Sequence, residues 1–392
     1  MSQNNSFDII IAGAGASGLS LLGVLLASDR LRSSRILLAD RRLAPADDKT
    51  WCFWSDYKSP YNQIISHTWH TLQVNFPGFT CREKLKNYKY HCVRSSELNS
   101  AVLEQARNEG NITLLESEIS GFSGKGSEAI MQTPDGEYTA SRIFQSVLLP
   151  PGFENAKNDI SLKQHFTGWE IETDRQLFDA NRATFMDFDI PGEDEIAFFY
   201  VLPFSQNKAL IEYTLFSDHL LPDAAYEKKI ETYLAQKYAL KPNEFSITRK
   251  EKGVIPMEDR HYPGMYCKRV WNTGTVGGLT KPSTGYTFNR IQRHSRDIVT
   301  ALEQGKEPPE NSRSSYRFRV YDLMFLYLMK HHPETAVLIF EDLFKRNSFD
   351  TLLQFLDEDT HFGQELRIFR TVPPLPFIKS IYKMKHRIFT GA

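Results

Sequence analysis

The tightest constraint sits near the start of the chain, where Phe7-Asp8-Ile9-Ile10-Ile11-Ala12 leads into Gly13-Ala14-Gly15-Ala16-Ser17-Gly18 and then an apolar run from Leu19 to Leu26. An isoleucine-rich run closed by glycines reads as a strand, and the apolar stretch after it as a packed helix. In that context Gly13 permits the tight turn, Gly15 lets backbone approach a pyrophosphate, and Gly18 lets the helix lie against the strand. Ala14 and Ser17 belong to the same ligand-facing loop. The next strand, Ile36-Leu37-Leu38-Ala39, ends at Asp40, 22 residues beyond Gly18. A carboxylate there accepts hydrogen bonds from an adenosine ribose and disfavours a ribose bearing a phosphate. The chain opens on a βαβ unit suited to a dinucleotide.

The same segment, from Phe7 to Ala27, is about as long and apolar as a membrane span. Asp8 and the glycines argue against that. With no basic region before it and no cleavage pattern, it reads as folded strand and helix, without export. Basic and acidic residues nearly balance, 47 against 48, so nucleic acid is not an expected partner. Cys52, Cys81, Cys92 and Cys267 show no metal-ligand spacing and no disulfide framework. Reduced thiols in the cytosol are the simplest reading, and no metal site is expected.

A second glycine-rich turn, Gly277-Gly278-Leu279-Thr280-Lys281-Pro282-Ser283-Thr284-Gly285-Tyr286-Thr287-Phe288, follows a strand around Val270, Trp271 and Thr273. Ile291, Ile298, Val299 and Leu302 then recur at helical spacing. Bare N–H groups at such a helix start suit phosphate or flavin oxygens, which makes Gly277, Gly278, Thr284, Gly285 and Tyr286 cofactor-binding candidates. Between the two loops, Thr50-Trp51-Cys52-Phe53-Trp54 concentrates aromatic surface. Trp51, Phe53 and Trp54 are candidates to line an apolar ligand, and equally read as buried anchors.

Leu72 to Phe79 and Tyr88 to Val93 read as strands, Ser96 to Asn108 as a helix capped by Ser96, and Val147-Leu148-Leu149 as a returning strand ended by Pro150-Pro151-Gly152. From Gln164 to Ile255 the pattern is strand-rich, with one helix over Asp223 to Lys237, and beyond Arg290 it is mainly helical. Within Lys208-Ala209-Leu210-Ile211-Glu212-Tyr213-Thr214, Glu212 is the lone acid between Glu195 and Asp218. On the pocket face, desolvation raises its pKa and makes it a proton donor; on the other face it is an ordinary solvated glutamate.

The dinucleotide turn, Asp48-Lys49-Thr50-Trp51-Cys52-Phe53-Trp54, Leu210-Ile211-Glu212-Tyr213-Thr214 and Pro282-Ser283-Thr284-Gly285-Tyr286 stand in an order and spacing that resembles the bacterial flavin-dependent lycopene cyclases. The resemblance implies an α/β fold with an FAD-binding Rossmann-like domain of the p-hydroxybenzoate hydroxylase type. Residues 1–150 and 256–303 would form that domain, residues 151–255 an inserted mixed-β substrate domain, and residues 304–392 a helical C-terminal region. It implies closure of the linear end groups of lycopene to β-ionone rings, giving β-carotene by way of γ-carotene. The chemistry is acid–base, with FAD needed reduced, NAD(P)H as the reductant and Glu212 as the catalytic acid.

Two departures matter. The related hydroxylases carry a Gly-Asp pair before the second loop, where this chain has Thr273-Gly274-Thr275-Val276-Gly277-Gly278, and an Asp-Gly motif at the returning strand, where it has Gln145 to Pro151. The first departure means that the ribityl contact comes from elsewhere, and the second weakens the alternative of an FAD-dependent monooxygenase or polyprenyl reductase. A non-catalytic lipid-binding protein of the same fold is the third reading. The tail mixes Phe377, Ile378, Ile381, Tyr382, Met384, Ile388 and Phe389 with Lys379, Lys383, Lys385, His386 and Arg387, a composition suited to an anionic lipid surface. Leu323 to Leu328 read as core or as part of that surface. Peripheral attachment to the inner face of the cytoplasmic membrane is the expectation.

Overall fold

A computed structural model describes residues 5–56, 62–190, 195–310 and 314–390. The opening strand, Ser6–Ala12, is flanked by Ile36–Asp40 and Gly136–Gln145, both parallel to it; Ile112–Glu116 and Val270–Asn272 extend the sheet on either side. The interior strands are continuous apolar runs because both faces are covered. The helix Ala16–Ala27 lies on one face, packed between Ser95–Arg107 and Phe288–Glu303. Gly18 makes that approach possible, since a Cβ there would lie 1.8 Å from the Gly13 carbonyl oxygen. Gly13 itself has φ +108°, a backbone setting that L side chains rarely adopt.

The second sheet has seven strands, ordered Phe245–Glu258, Ser161–Thr173, Lys208–Ser217, Ile196–Pro203, Arg182–Asp187, Thr71–Phe76 and Phe79–Lys84. Its last two strands come from within 1–150, the stretch assigned to the cofactor domain. Thr71–Phe76 runs parallel to Arg182–Asp187, burying Leu72, Val74 and Phe76 in the core beneath this sheet. The expected single strand of Leu72 to Phe79 is thus a hairpin turning at Gly78. On the back of the sheet lies the helix Asp223–Tyr238, whose Tyr226, Ile230, Tyr233 and Leu234 meet Ala209, Ile211, Tyr213 and Leu215. Tyr233 stacks on Phe199 at 3.9 Å and donates to Asp187 at 2.8 Å.

A three-stranded sheet of Thr50–Ser55, Lys89–Arg94 and His67–Trp69 bridges the two units. Six helices, beginning with Tyr316–His331 and ending with Lys385–Thr390, close the open side of the second sheet.

Local details differ from the sequence reading for visible reasons. The helix at Ser95–Arg107 starts one residue early, so Ser96 is not its cap; Ser95 Oγ instead accepts from the Asp48 and Lys49 amides at 3.1 Å each. Val147-Leu148-Leu149 is not a strand. The returning strand ends at Gln145, whose Oε1 accepts from the amides of Val147 and Leu148 at 2.9 Å and bends the chain away.

Candidate active site

Alternation along Lys208–Ser217 decides where Glu212 points. Ala209, Ile211, Tyr213 and Leu215 face the helix behind the sheet, so Leu210, Glu212, Thr214 and Phe216 face inward. Glu212 is 8% exposed, and its Oε1 accepts from Thr214 Oγ1 at 2.8 Å. It pairs in register with Gly168 on one side and Tyr200 on the other. Burial, and after it the negative charge of nearby Glu251, pushes the Glu212 carboxyl well above the usual carboxylate range.

Two cavities meet beside it. The larger, about 1240 Å³, runs from Gly13, Ala14, Gly15, Ser17 and Asp40 past Trp51 and Cys52 to Glu212, Tyr200 and Tyr286. The smaller, about 270 Å³, is walled almost wholly by carbon: Phe185, Phe216, Phe340, Phe344, Phe369 and Ile378 among others. Tyr200, Thr284 and Tyr286 border both, so these side chains form the partition between a dinucleotide cleft and an apolar chamber. Tyr200 is buried and Tyr286 partly so, and desolvation raises both hydroxyl pKa values, which keeps the phenols neutral. Tyr90 and Cys52, pushed up by the same desolvation, complete the neutral lining.

The expected cofactor residues divide. Gly13, Ala14, Gly15, Ser17, Asp40, Thr284, Gly285 and Tyr286 line the large cleft, and Gly18 serves packing behind it. Asp40 Oδ2 accepts from the Ala14 amide at 2.6 Å and Oδ1 from Arg42 at 3.0 Å, so the acid also holds the glycine turn in shape. Gly277 and Gly278 do not line the cleft. Gly277 sits against the Asn272 carbonyl oxygen, 2.5 Å from where its Cβ would be, and Gly278 closes the short helix Gly274–Gly277 at φ +73°. Gly274 and Thr275 take the wall position instead.

The aromatic strand divides along its length. Trp51 borders the cleft and stacks on Phe288 at 5.9 Å. Phe53 and Trp54 border neither cavity: Phe53 packs on Phe288 and His91, while Trp54 donates to the Leu353 carbonyl at 3.1 Å and meets Tyr286 edge-on at 4.9 Å. They are anchors, and the residue between them and Trp51, Cys52, lines the cleft. Cys52, Tyr90, Tyr200 and Glu251 were not picked out from the sequence. Strand alternation carried a signal for Tyr200, the register partner of Glu212.

The second loop is fixed from below. Lys281 is buried with Nζ 3.0 Å from Asp322 Oδ2 and 2.9 Å from Glu358 Oε1, and Ser283 donates to Asp322 at 2.6 Å. Arg290 and Ser314 also donate to Glu358, tying the loop to the C-terminal helices.

Whether a flavin dinucleotide fits is testable on the cleft itself. No heavy atom lies within 4 Å of a Cβ placed on Gly15, which leaves room for a pyrophosphate over the start of Ala16–Ala27. At the far end Gln164 Oε1, buried and without a hydrogen-bond partner among the described residues, packs directly against Gly285 in the space a Cβ there would fill, and both residues line the cleft. The donor set suits the group. Among the described residues there is no cluster of His, Cys, Asp and Glu that could hold a metal ion.

This scaffold is a Rossmann-like α/β fold shared with redox enzymes. It matches a flavoprotein/dehydrogenase from Cytophaga hutchinsonii (TM-score 0.58, 10% identity, covering 89% of this chain and 92% of that one). A geranylgeranyl bacteriochlorophyll reductase-like protein from Thermoplasma acidophilum (TM-score 0.58, 11% identity, 97% and 99%) and a p-nitrophenol 4-monooxygenase from Pseudomonas putida (TM-score 0.58, 11% identity, 96% and 98%) share it too. At such identities the likeness speaks for the fold alone. The family is given by the sequence: the chain belongs to the lycopene cyclases, the model described as "Lycopene cyclase protein" matching residues 8–382. It is 28% identical over 310 residues to a lycopene beta-cyclase of Paracoccus sp. (strain N81106 / MBIC 01143), covering 75% of this chain and 73% of that one. With the lycopene beta-cyclase of Pantoea ananas the identity is 26% over 301 residues, covering 72% and 71%. The chain is accordingly an enzyme of the carotenoid cyclase class.

Proposed function

We propose that this enzyme closes the linear end groups of lycopene, or a related linear carotenoid, into β-ionone rings without net redox change. The observation that carries the proposal is the place of Glu212: a buried carboxyl in the wall of a dinucleotide-sized cleft, in register with Tyr200, which separates that cleft from an apolar chamber. In the protonated form that burial favours, its O–H breaks as a C–H bond forms at the terminal alkene. The resulting tertiary cation takes the electrons of a neighbouring double bond, a ring C–C bond forms, and an adjacent C–H gives its proton back to Glu212. Atoms and electrons balance with nothing consumed. Reduced FAD, when bound, supplies an electron-rich face toward the cation. The glycine turn of residues 13–18 and Asp40 would hold its adenosine half, and Gln164, Gly285 and Tyr286 lie where its ring system would end. NAD(P)H is the proposed source of the electrons that keep it reduced. The chamber's phenyl and aliphatic walls exclude the water that would trap the cation.

The chamber's outer end is lined by Phe377, Ile378 and Ile381 of the helix Pro374–Lys383. On that helix Leu375 is 67% exposed, Ile378 57% and Tyr382 67%, and Lys379 and Lys383 are exposed beside them. This supports peripheral docking at the inner face of the cytoplasmic membrane, where an oily substrate could pass directly from lipid. No helix among the described residues is long and apolar enough to cross a membrane. The test of function is expression in cells that accumulate lycopene. Chromatography should find cyclised carotenoid with the native chain and lose it, by roughly 10²- to 10⁴-fold, with Glu212→Gln. Full conversion by that variant would reject the role.

A further inference from the structure

Ring closure as written uses one carboxyl, yet a second lies beside it. Glu251 belongs to Phe245–Glu258, the edge strand of the second sheet, where its chain neighbours Lys250 and Lys252 are exposed. Glu251 itself is buried, at 4% exposure. The register explains its partner. Gly168, in the adjoining strand, pairs with Glu212 on one flank and with Glu251 on the other, so all three project from the same face. Position 168 carries no side chain, and the two carboxyl groups close over it to within hydrogen-bonding reach of each other. A Cβ there would lie 3.1 Å from Glu251 Cγ and 3.4 Å from Glu212 Cβ.

Glu251 is gripped from its other side. Arg249 Nη1 donates to Glu251 Oε2 at 2.6 Å and Thr50 Oγ1 donates to the same oxygen at 2.8 Å, while Arg249 Nη2 donates to Thr50 Oγ1 at 2.7 Å. Both contacts land on Oε2, which leaves Oε1 unengaged by Arg249 and Thr50. We propose that Glu251 is the positioning residue of the acid: its carboxylate, fixed by Arg249 and Thr50, accepts a hydrogen bond from the Glu212 carboxyl, so that one proton is retained by the pair and offered to the alkene. Glu251 begins and ends each turnover unprotonated. The inference rests on the acid–base reading above and deepens it.

The groups facing Glu212 from the surrounding elements are Cys52 on the aromatic strand, Tyr200 on the neighbouring strand, Tyr286 on the glycine loop, and Arg249 and Glu251 on the edge strand. Burial pushes the Cys52 thiol and both phenols up, so they stay neutral. Glu251 is therefore the one negative neighbour in that set, and Arg249 the positive one.

Infrared titration of the holoenzyme decides the matter without turnover, because the carboxyl C=O band that Glu212→Gln removes reports the pH at which Glu212 loses its proton. Glu251→Gln should lower that midpoint by about one pH unit or more and move the alkaline limb of kcat down with it, leaving KM unchanged. Glu251→Asp, which keeps the charge, should retain most of the native midpoint. Should Glu251→Gln not fold, Gly168→Ala serves, since its methyl wedges the pair apart while both charges remain and should move the midpoint the same way by less. A native midpoint in folded, flavin-loaded Glu251→Gln, or in Gly168→Ala where that variant is needed, would overturn the pairing. Failure of the native chain to cyclise any carotenoid would overturn the proposed function instead, and the infrared result would stand apart from it.

Discussion

Burial sets what Glu212 can do, and it sets a stability cost along with a function. Its folded-state pKa lies above the unfolded value, so the native state binds more protons than the unfolded chain and stability falls as pH rises between the two. On the proposed acid–base mechanism, activity needs the protonated acid and is lost as pH climbs through the raised pKa. Glu212→Gln removes the ionisation, so the account expects this variant to melt at higher temperature than the native chain in neutral and alkaline buffer while being inactive. Thermal melts across pH check this; a variant no more stable at high pH contradicts the desolvated acid. Glu212 could be singled out in the sequence because it is a lone acid in an apolar strand. Glu251 could not, because Arg249-Lys250-Glu251-Lys252 has the charge alternation of a solvated edge strand, and its inward turn comes only from pairing with Gly168.

Elements were legible where one periodicity ruled. The opening strand and helix, the helix Asp223–Tyr238 and the strand carrying Glu212 stand where alternation or helical spacing puts them. Where a side chain replaced a backbone partner, as at Gln145 and Ser95, the boundaries moved. The aromatic strand shows the limit of composition: which of its aromatics meet a cavity and which are anchors depends on segments hundreds of residues away, such as the Leu353 carbonyl that receives the Trp54 indole N–H. The second glycine loop depends on a similar distant contact, the buried ion cluster of Lys281, Asp322 and Glu358. Lys281→Met leaves the buried Asp322 carboxylate without its cation, while Glu358 keeps Arg290, and should cost about 3–5 kcal/mol, read as a fall in denaturation midpoint. A loss below about 1 kcal/mol would show that the cluster contributes little to holding the loop.

On the scale of the whole molecule, one face joins chemistry to supply. The apolar chamber ends at the helix Pro374–Lys383, and the exposed Leu375, Ile378 and Tyr382 surround that end. The tail does not present all of its apolar and basic residues outward. Met384 and Ile388 are core, and Arg387 is buried against Asp259 at 2.8 Å; the Phe389 side chain lies outside the described residues. Leu323 to Leu328 likewise pack inward, with Leu326 and Leu328 fully covered. Replacing the exposed Leu375 and Tyr382, which line neither cavity, by Ser should therefore reduce co-sedimentation with anionic vesicles several-fold while leaving activity on detergent-dispersed substrate intact; unchanged sedimentation would remove this face as the docking surface.

The central claim is that a proton, not a pair of electrons, is what the protein delivers. The measurement that meets it most directly is turnover in deuterium oxide with the flavin reduced once and no further reductant supplied, followed by mass analysis of the product. The account predicts many turnovers per flavin and one deuterium for each ring formed. Product limited to the amount of reductant added, or carrying two added hydrogens per end group, would contradict it.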